Sequence, residues 1–177
     1  MFEPNTVYAK IAYDAILLYL KTGKKLFKKD QEIPPALKLN LACYVSIYTD
    51  NKLKSCVGDP KPGHPQLYNE IIENAVQAAF ENPGSEPLKE EELNNISITV
   101  DVLSEPKPVQ DASLIKPHKH GIIVKDTNGN QSLMLPNSNG IETAEKQVSE
   151  AKKNAGIDPD TPIDELEIYN FTTTRYQ

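Results

Sequence analysis

Leu41-Ala42-Cys43-Tyr44-Val45-Ser46-Ile47-Tyr48-Thr49 runs through a polar turn, Asp50-Asn51-Lys52, into Leu53-Lys54-Ser55-Cys56-Val57-Gly58, and this stretch decides the fold. In its first arm Leu41, Cys43, Val45 and Ile47 alternate with Ala42, Tyr44, Ser46 and Tyr48, the period of two expected of a strand with one buried face. Two such arms joined by a tight turn make an antiparallel hairpin, a connection that a parallel βαβ sheet does not use. The register follows from which faces can coincide, because a slip of one residue exchanges them. A three-residue loop sets Val45 against Val57, Ile47 against Ser55 and Thr49 against Leu53, and joins the apolar faces. A two-residue loop would put Lys54 among core aliphatics, at a cost of several kcal/mol for a buried, unpaired ammonium. The first register puts Cys56 opposite Ser46, on the more polar face with Tyr44, Tyr48 and Lys54.

Outward from the hairpin, helices and strands mix without a βαβ repeat. After Asn5-Thr6, either of which can cap a helix, Val7, Ile11, Ala15 and Leu18 recur at helical spacing up to Gly23. A basic connector with Pro34-Pro35 cannot continue that helix. Residues 59–65 hold three prolines and a glycine and read as a loop. From Pro65 a helix carries apolar stripes Leu67, Ile71, Ala75, Ala78 and Ile72, Val76, Phe80 to a stop near Asn82-Pro83-Gly84. The acidic run Glu90-Glu91-Glu92 fits the first turn of a short helix. Ile96, Ile98, Val100 and Val102 form the clearest strand. A second hairpin is predicted from Gly121–Lys125 through Asn128-Gly129 to 132–135. A helix over 144–155 stops at Gly156, and one terminal strand is predicted from Leu166 to Tyr176. The sum is an α+β fold with mainly antiparallel sheets flanked by helices.

Composition narrows the function. The chain has 177 residues, 38% apolar and 25% charged, an ordinary globular make-up. A net charge of −6 argues against nucleic acid as partner. The longest apolar run, Ala15 to Leu20, is far short of the roughly 18 residues of a membrane span, and the start lacks a secretory signal, so a cytoplasmic location and no membrane are expected. Two cysteines without a C-x-x-C pair give neither a disulfide framework nor a zinc signature. Cys43 lies on the aliphatic face and reads as core. Cys56 has two readings: a space-filling side chain where the hairpin meets another element, or a thiol primed by the neighbouring Lys54 ammonium.

Leu53-Lys54-Ser55-Cys56-Val57-Gly58 resembles the Leu-Arg-Gly-Cys-Ile-Gly signature of the AMMECR domain, protein A of the AmmeMemoRadiSam gene set. The resemblance runs on through Ala78-Ala79-Phe80-Glu81-Asn82-Pro83, Pro87-Leu88, Glu91-Glu92-Leu93, Val102-Leu103-Ser104, His120-Gly121-Ile122, Leu135-Pro136 and Thr174-Arg175-Tyr176. It departs at Lys54, where the family has arginine, at Ser55, where it has glycine, and at Gly84-Ser85, where it has Arg-Phe. It implies a single two-lobed domain over 1–177, the larger lobe holding both chain ends, the smaller inserted mid-chain, and the signature facing a cleft between lobes. It also implies a pathway shared with a Memo-type protein and a radical S-adenosylmethionine enzyme, with no cofactor of its own expected here.

Three histidines complete the candidates. His64 reads as a loop residue or helix cap, and His118 and His120 form an H-x-H at a strand start. With Cys56 these two could ligate zinc, though no metal site is expected. His120, at the family His-Gly position, is the candidate base for Cys56. Two functions follow. One is an enzyme or enzyme component with Cys56 and His120 catalytic and Lys54, Ser55, Gly58, Tyr44 and Ser46 binding the substrate, for which a protein or peptide is the expectation. The other is a non-catalytic module that holds a partner segment.

Overall fold

A computed structural model describes residues 3–177. The elements, in chain order, are α1 Val7–Thr22, β1 Cys43–Thr49, β2 Lys52–Gly58, α2 Leu67–Val76, β3 Ile96–Leu103, β4 Lys107–Pro108, β5 Gly121–Lys125, β6 Gln131–Met134, α3 Ala144–Ala155, β7 Glu167–Phe171 and β8 Thr173–Tyr176. They form two four-stranded sheets, ordered β2-β1-β3-β8 and β4-β7-β5-β6. The fold is α+β, as the mixed pattern predicts. Among the described residues no helix is long and apolar enough to cross a membrane.

The chain divides into two compact units. The first comprises residues up to Val102 together with Thr174–Gln177. Its α1 begins where the Thr6 hydroxyl accepts from Ala9 N–H and ends at Gly23, whose positive φ of 66° closes the last turn on Tyr19 O. Helix α2 starts two residues later than the sequence suggests and finishes in a π-helical turn, Gln77–Glu81. Ile16, Ile71, Val45, Ile47, Ile98 and Val100 are fully buried between these helices and one sheet face. β3 is buried on both faces: Ile98, Thr99, Val100 and Asp101 are each at most 5% exposed. The face turned from the helices is polar.

The hairpin combines both turn lengths considered for it. β1 and β2 pair Val45 with Val57, Ser46 with Cys56 and Ile47 with Ser55, the register expected from the apolar faces. Toward the turn the pairing shifts to Tyr48 with Leu53 and Thr49 with Lys52. The loop is therefore two residues, Asp50 and Asn51, both at positive φ (49° and 62°) as a type I′ turn demands. The surplus residue is taken up as a bulge at Lys54. The bulge corrects one expectation, since Leu53 leaves the aliphatic face and is 59% exposed.

The second unit, Leu103–Thr173, has its own core of Ile115, Ile122, Val124, Val148, Ala151, Ile157 and Ile168 beneath α3. β5 and β6 form the predicted hairpin, with Gly129 at φ 87° in its turn. The single terminal strand expected from 166 to 176 is instead two strands, β7 and β8, that break at Thr172 and join different sheets. Edge strand β4 carries no sequence signal, because Pro106 and Pro108 read as loop.

Candidate functional site

The polar face of the first unit's sheet is assembled by register. β1 pairs with β2 on one side and β3 on the other, so Cys56, Ser46 and Thr99 stand in one cross-strand row. The next row holds Gly58, Tyr44 and Asp101. Side chains two residues apart on a strand share a face, so both rows open the same way. Ser46 Oγ donates to Cys56 Sγ at 3.2 Å. Asp101, 1% exposed, accepts two bonds from Arg175, from Nε at 2.8 Å and Nη2 at 2.9 Å, the bidentate geometry of a strong carboxylate–guanidinium pair. Thr99 Oγ1 is buried and has no hydrogen-bond partner among the described residues.

Cys56 is half-buried and free. Burial pushes its thiol pKa up; the Ser46 hydrogen bond opposes this, Asp101 adds to it and Arg175 opposes it. The resting group is therefore a neutral thiol. The expectation that Lys54 primes it is corrected by geometry. The bulged Lys54 sends its Nζ to Glu92 Oε1 at 2.7 Å, and the cation whose field reaches the sulfur is Arg175 of β8. Tyr44 is on the thiol's face, with its pKa raised by burial, then Asp59, then Cys56. Cys43 is fully buried, its pKa pushed up to about 12 chiefly by desolvation.

Two residues assigned to substrate binding do structural work. Ser55 is 4% exposed, on the face opposite Cys56, and its Oγ accepts from Asn82 Nδ2 at 2.8 Å, which ties β2 to the end of the π-helical turn. Gly58 is where β2 runs against Tyr44: a Cβ there would lie 2.6 Å from Tyr44 Cγ and overlap Cys43 O. That close approach accounts for the glycine without a ligand.

His120 belongs to the second unit. Its Nδ1 accepts from Lys116 N–H at 3.1 Å, so in the neutral ring Nε2 carries the proton and acts as a donor. Its pKa is lowered by burial, then by Lys119 and Lys116. The ring lines a pocket of about 500 Å³ with Lys107, Lys119 and Asn170. His118 lies in an exposed turn ahead of β5, not on the strand, and no group of three or more metal-ligating side chains occurs among the described residues. His64 instead serves its own loop. Glu70 Oε2, on α2, accepts from Gly63 N–H and His64 N–H at 3.0 Å and faces His64 Nδ1 at 3.1 Å. A groove of about 680 Å³, with Val148, Leu166 and Ile168 in its lining and Asp111, Glu145 and Asp164 around it, lies in the second unit and contains none of the residues singled out by sequence.

Sequence reasoning missed Thr99, Asp101 and Arg175. The signal for the first two was present: Ser97, Thr99 and Asp101 alternate with the aliphatics of the clearest strand, and an acidic residue mid-strand needs a cation. Arg175 carried only its motif match.

An α+β protein with a half-buried cysteine on a polar sheet face is the class these features define. The chain belongs to the AMMECR1 family, whose model matches residues 9–176. It is 38% identical over 172 residues to a protein of Thermotoga maritima, covering 96% of this chain and 97% of that one. A Clostridium acetobutylicum relative is 31% identical, but the chain spans only 36% of its length. The crystal structure of an uncharacterised Pyrococcus horikoshii protein has the same fold, with TM-score 0.86, 28% identity, and coverage of 95% of this chain and 88% of that one.

Proposed function

We propose that the polar face around Cys56 is the working site of this AMMECR1-family protein, and that it acts as a binding component of a pathway shared with a Memo-type protein and a radical S-adenosylmethionine enzyme. The observation that carries the reading is the row Cys56–Ser46–Thr99, polar on a sheet whose other face is the hydrophobic core. Burying such groups costs folding free energy unless they gain partners, and Thr99 has none within the described residues. In this role Cys56 is a neutral hydrogen-bonding thiol, and its occupant is a partner segment or small molecule.

A second reading, Cys56 as nucleophile in an enzyme or enzyme component, is favoured by the free, half-buried thiol within the field of a guanidinium. His120 would then have to give up the tautomer that its bond to Lys116 N–H selects. Both readings are tested by mixing the protein with the purified Memo-type and radical S-adenosylmethionine partners. Binding weakened alike by Ser46→Ala, Thr99→Val and Cys56→Ala supports the binding component. Turnover abolished by Cys56→Ala alone supports the nucleophile. If no variant changes binding or turnover, the site lies elsewhere.

A further inference from the structure

Arg175 uses only part of its donor capacity. A guanidinium has five N–H donors in a rigid fork. Two of them, one on Nε and one on Nη2, are spent on Asp101, and no further partner occurs among the described residues. The side chain is 54% exposed while the carboxylate it holds is 2% exposed. The pair is therefore asymmetric: Asp101 is sealed and neutralised, and the other edge of the guanidinium, with both Nη1 hydrogens, has no partner among the described residues, on a side chain that is half exposed. Asp101 stands on the thiol's face, one row from Cys56 and next to unpartnered Thr99.

We propose that the ligand of the Cys56 site carries an oxyanion, a carboxylate or a phosphate, which docks on the free edge of Arg175 and brings the adjoining part of the ligand over the Cys56–Ser46–Thr99 row. The proposal rests on the reading of that face as the working site and names its ligand class. Bidentate recognition of a planar or tetrahedral oxyanion is what a half-used guanidinium offers and a lysine does not. With Asp101 already neutralised, a second anion meets hydrogen-bond donors without net repulsion from the pair. Thr99 supplies the independent sign of a missing partner: a buried hydroxyl, on a residue only 5% exposed, in the same row as the thiol and without a hydrogen bond among the described residues.

The test uses the thiol as reporter in the intact protein. Cys56 is alkylated with iodoacetate and with iodoacetamide at one pH. In each case sulfur forms a bond to the methylene carbon, iodide leaves, and the thiol proton passes to buffer. Both rates share the same thiolate fraction, so their ratio isolates the preference for the carboxylate. Buried Cys43 stays unreacted while the fold is intact. Against N-acetylcysteine, the expected ratio is about two- to fivefold higher, the range of a partly exposed ion pair, and this despite a net charge of −6, which by itself repels iodoacetate. D101N/R175Q removes the pair without changing net charge and lowers the ratio to that of the free thiol or below it. R175K keeps a cation on Asp101 but loses the planar edge, and also lowers it. Protection from iodoacetamide by inorganic phosphate or by N-acetylglycine distinguishes a phosphate ligand from a chain-terminal carboxylate. A ratio no higher than the free thiol's, or one untouched by both variants, overturns the oxyanion assignment alone. If neither reagent reaches Cys56 in the folded protein, the reading of this face as the working site falls with it.

Discussion

Three residues carry the site: a thiol that is neutral at rest, a hydroxyl without a partner, and a guanidinium held by a buried carboxylate. Thr99 tests whether the face is built for a missing ligand. A buried hydroxyl that makes no hydrogen bond has already lost its hydration, so exchanging it for a methyl group restores nothing polar and removes that penalty. Thr99→Val is therefore expected to leave the ligand-free protein unchanged or up to about 1 kcal/mol more stable. Chemical denaturation measures this. A loss well beyond about 1 kcal/mol would mean that the hydroxyl has an internal partner. The same reasoning separates Ser46, whose hydroxyl is committed to the Cys56 sulfur, from Thr99, its next neighbour in the row.

Among elements, the β1–β2 hairpin shows what was legible in the chain and what was not. The apolar alternation of Val45, Ile47 and Val57 placed Cys56 opposite Ser46, because a one-residue slip would have cost too much burial. Nothing local separated a three-residue loop from a two-residue loop plus a bulge, since both give the same register beyond Lys54. The difference depends on Glu92, 38 positions away, which takes the bulged ammonium. The break at Thr172 was hidden for a like reason, as the residues on both sides favour strand and only sheet membership divides them. Lys54 and Glu92 also give a pH signature. Burial raises the Glu92 pKa, but hydrogen bonds from Lys54 Nζ and Lys89 N–H outweigh it and hold the carboxyl below its usual range. The interaction is then fully present above about pH 4.3, the unfolded glutamate value, and is lost as pH falls through the lower folded value. Lys54→Met should cost about 1 kcal/mol at neutral pH and progressively less below about pH 4. Urea midpoints of the two proteins followed from pH 7 to 3 should converge, and parallel curves would show that the pair contributes nothing.

On the scale of the molecule, connectivity makes the two units unequal. The first is discontinuous: its fourth strand is supplied by Thr173–Tyr176, where Arg175 neutralises buried Asp101 and the Tyr176 ring stacks on Tyr8 at 3.9 Å. The second is one uninterrupted stretch, and its ends are clipped together, Ser104 N–H to Thr172 O at 2.9 Å and Thr172 N–H to Ser104 Oγ at 3.0 Å. A segment with its own core and adjoining ends loses little chain entropy when cut free. Residues 103–173 alone are therefore expected to fold, with the stability of no more than about 3–5 kcal/mol that a single small core supplies. Removing residues 174–177 from the full chain should instead unfold the first unit, since it strands a buried carboxylate and strips a strand from the sheet, a loss of about 3–5 kcal/mol for the ion pair alone. Amide proton dispersion in NMR spectra reads both. The fragment should show dispersed signals for β5, β6 and α3, and the truncated chain should keep those signals while losing those of β1 and β3. A collapsed, featureless spectrum from the fragment would show that its core needs the rest of the chain, and full dispersion in the truncated chain would show that β8 and Arg175 are dispensable to the sheet that carries Cys56.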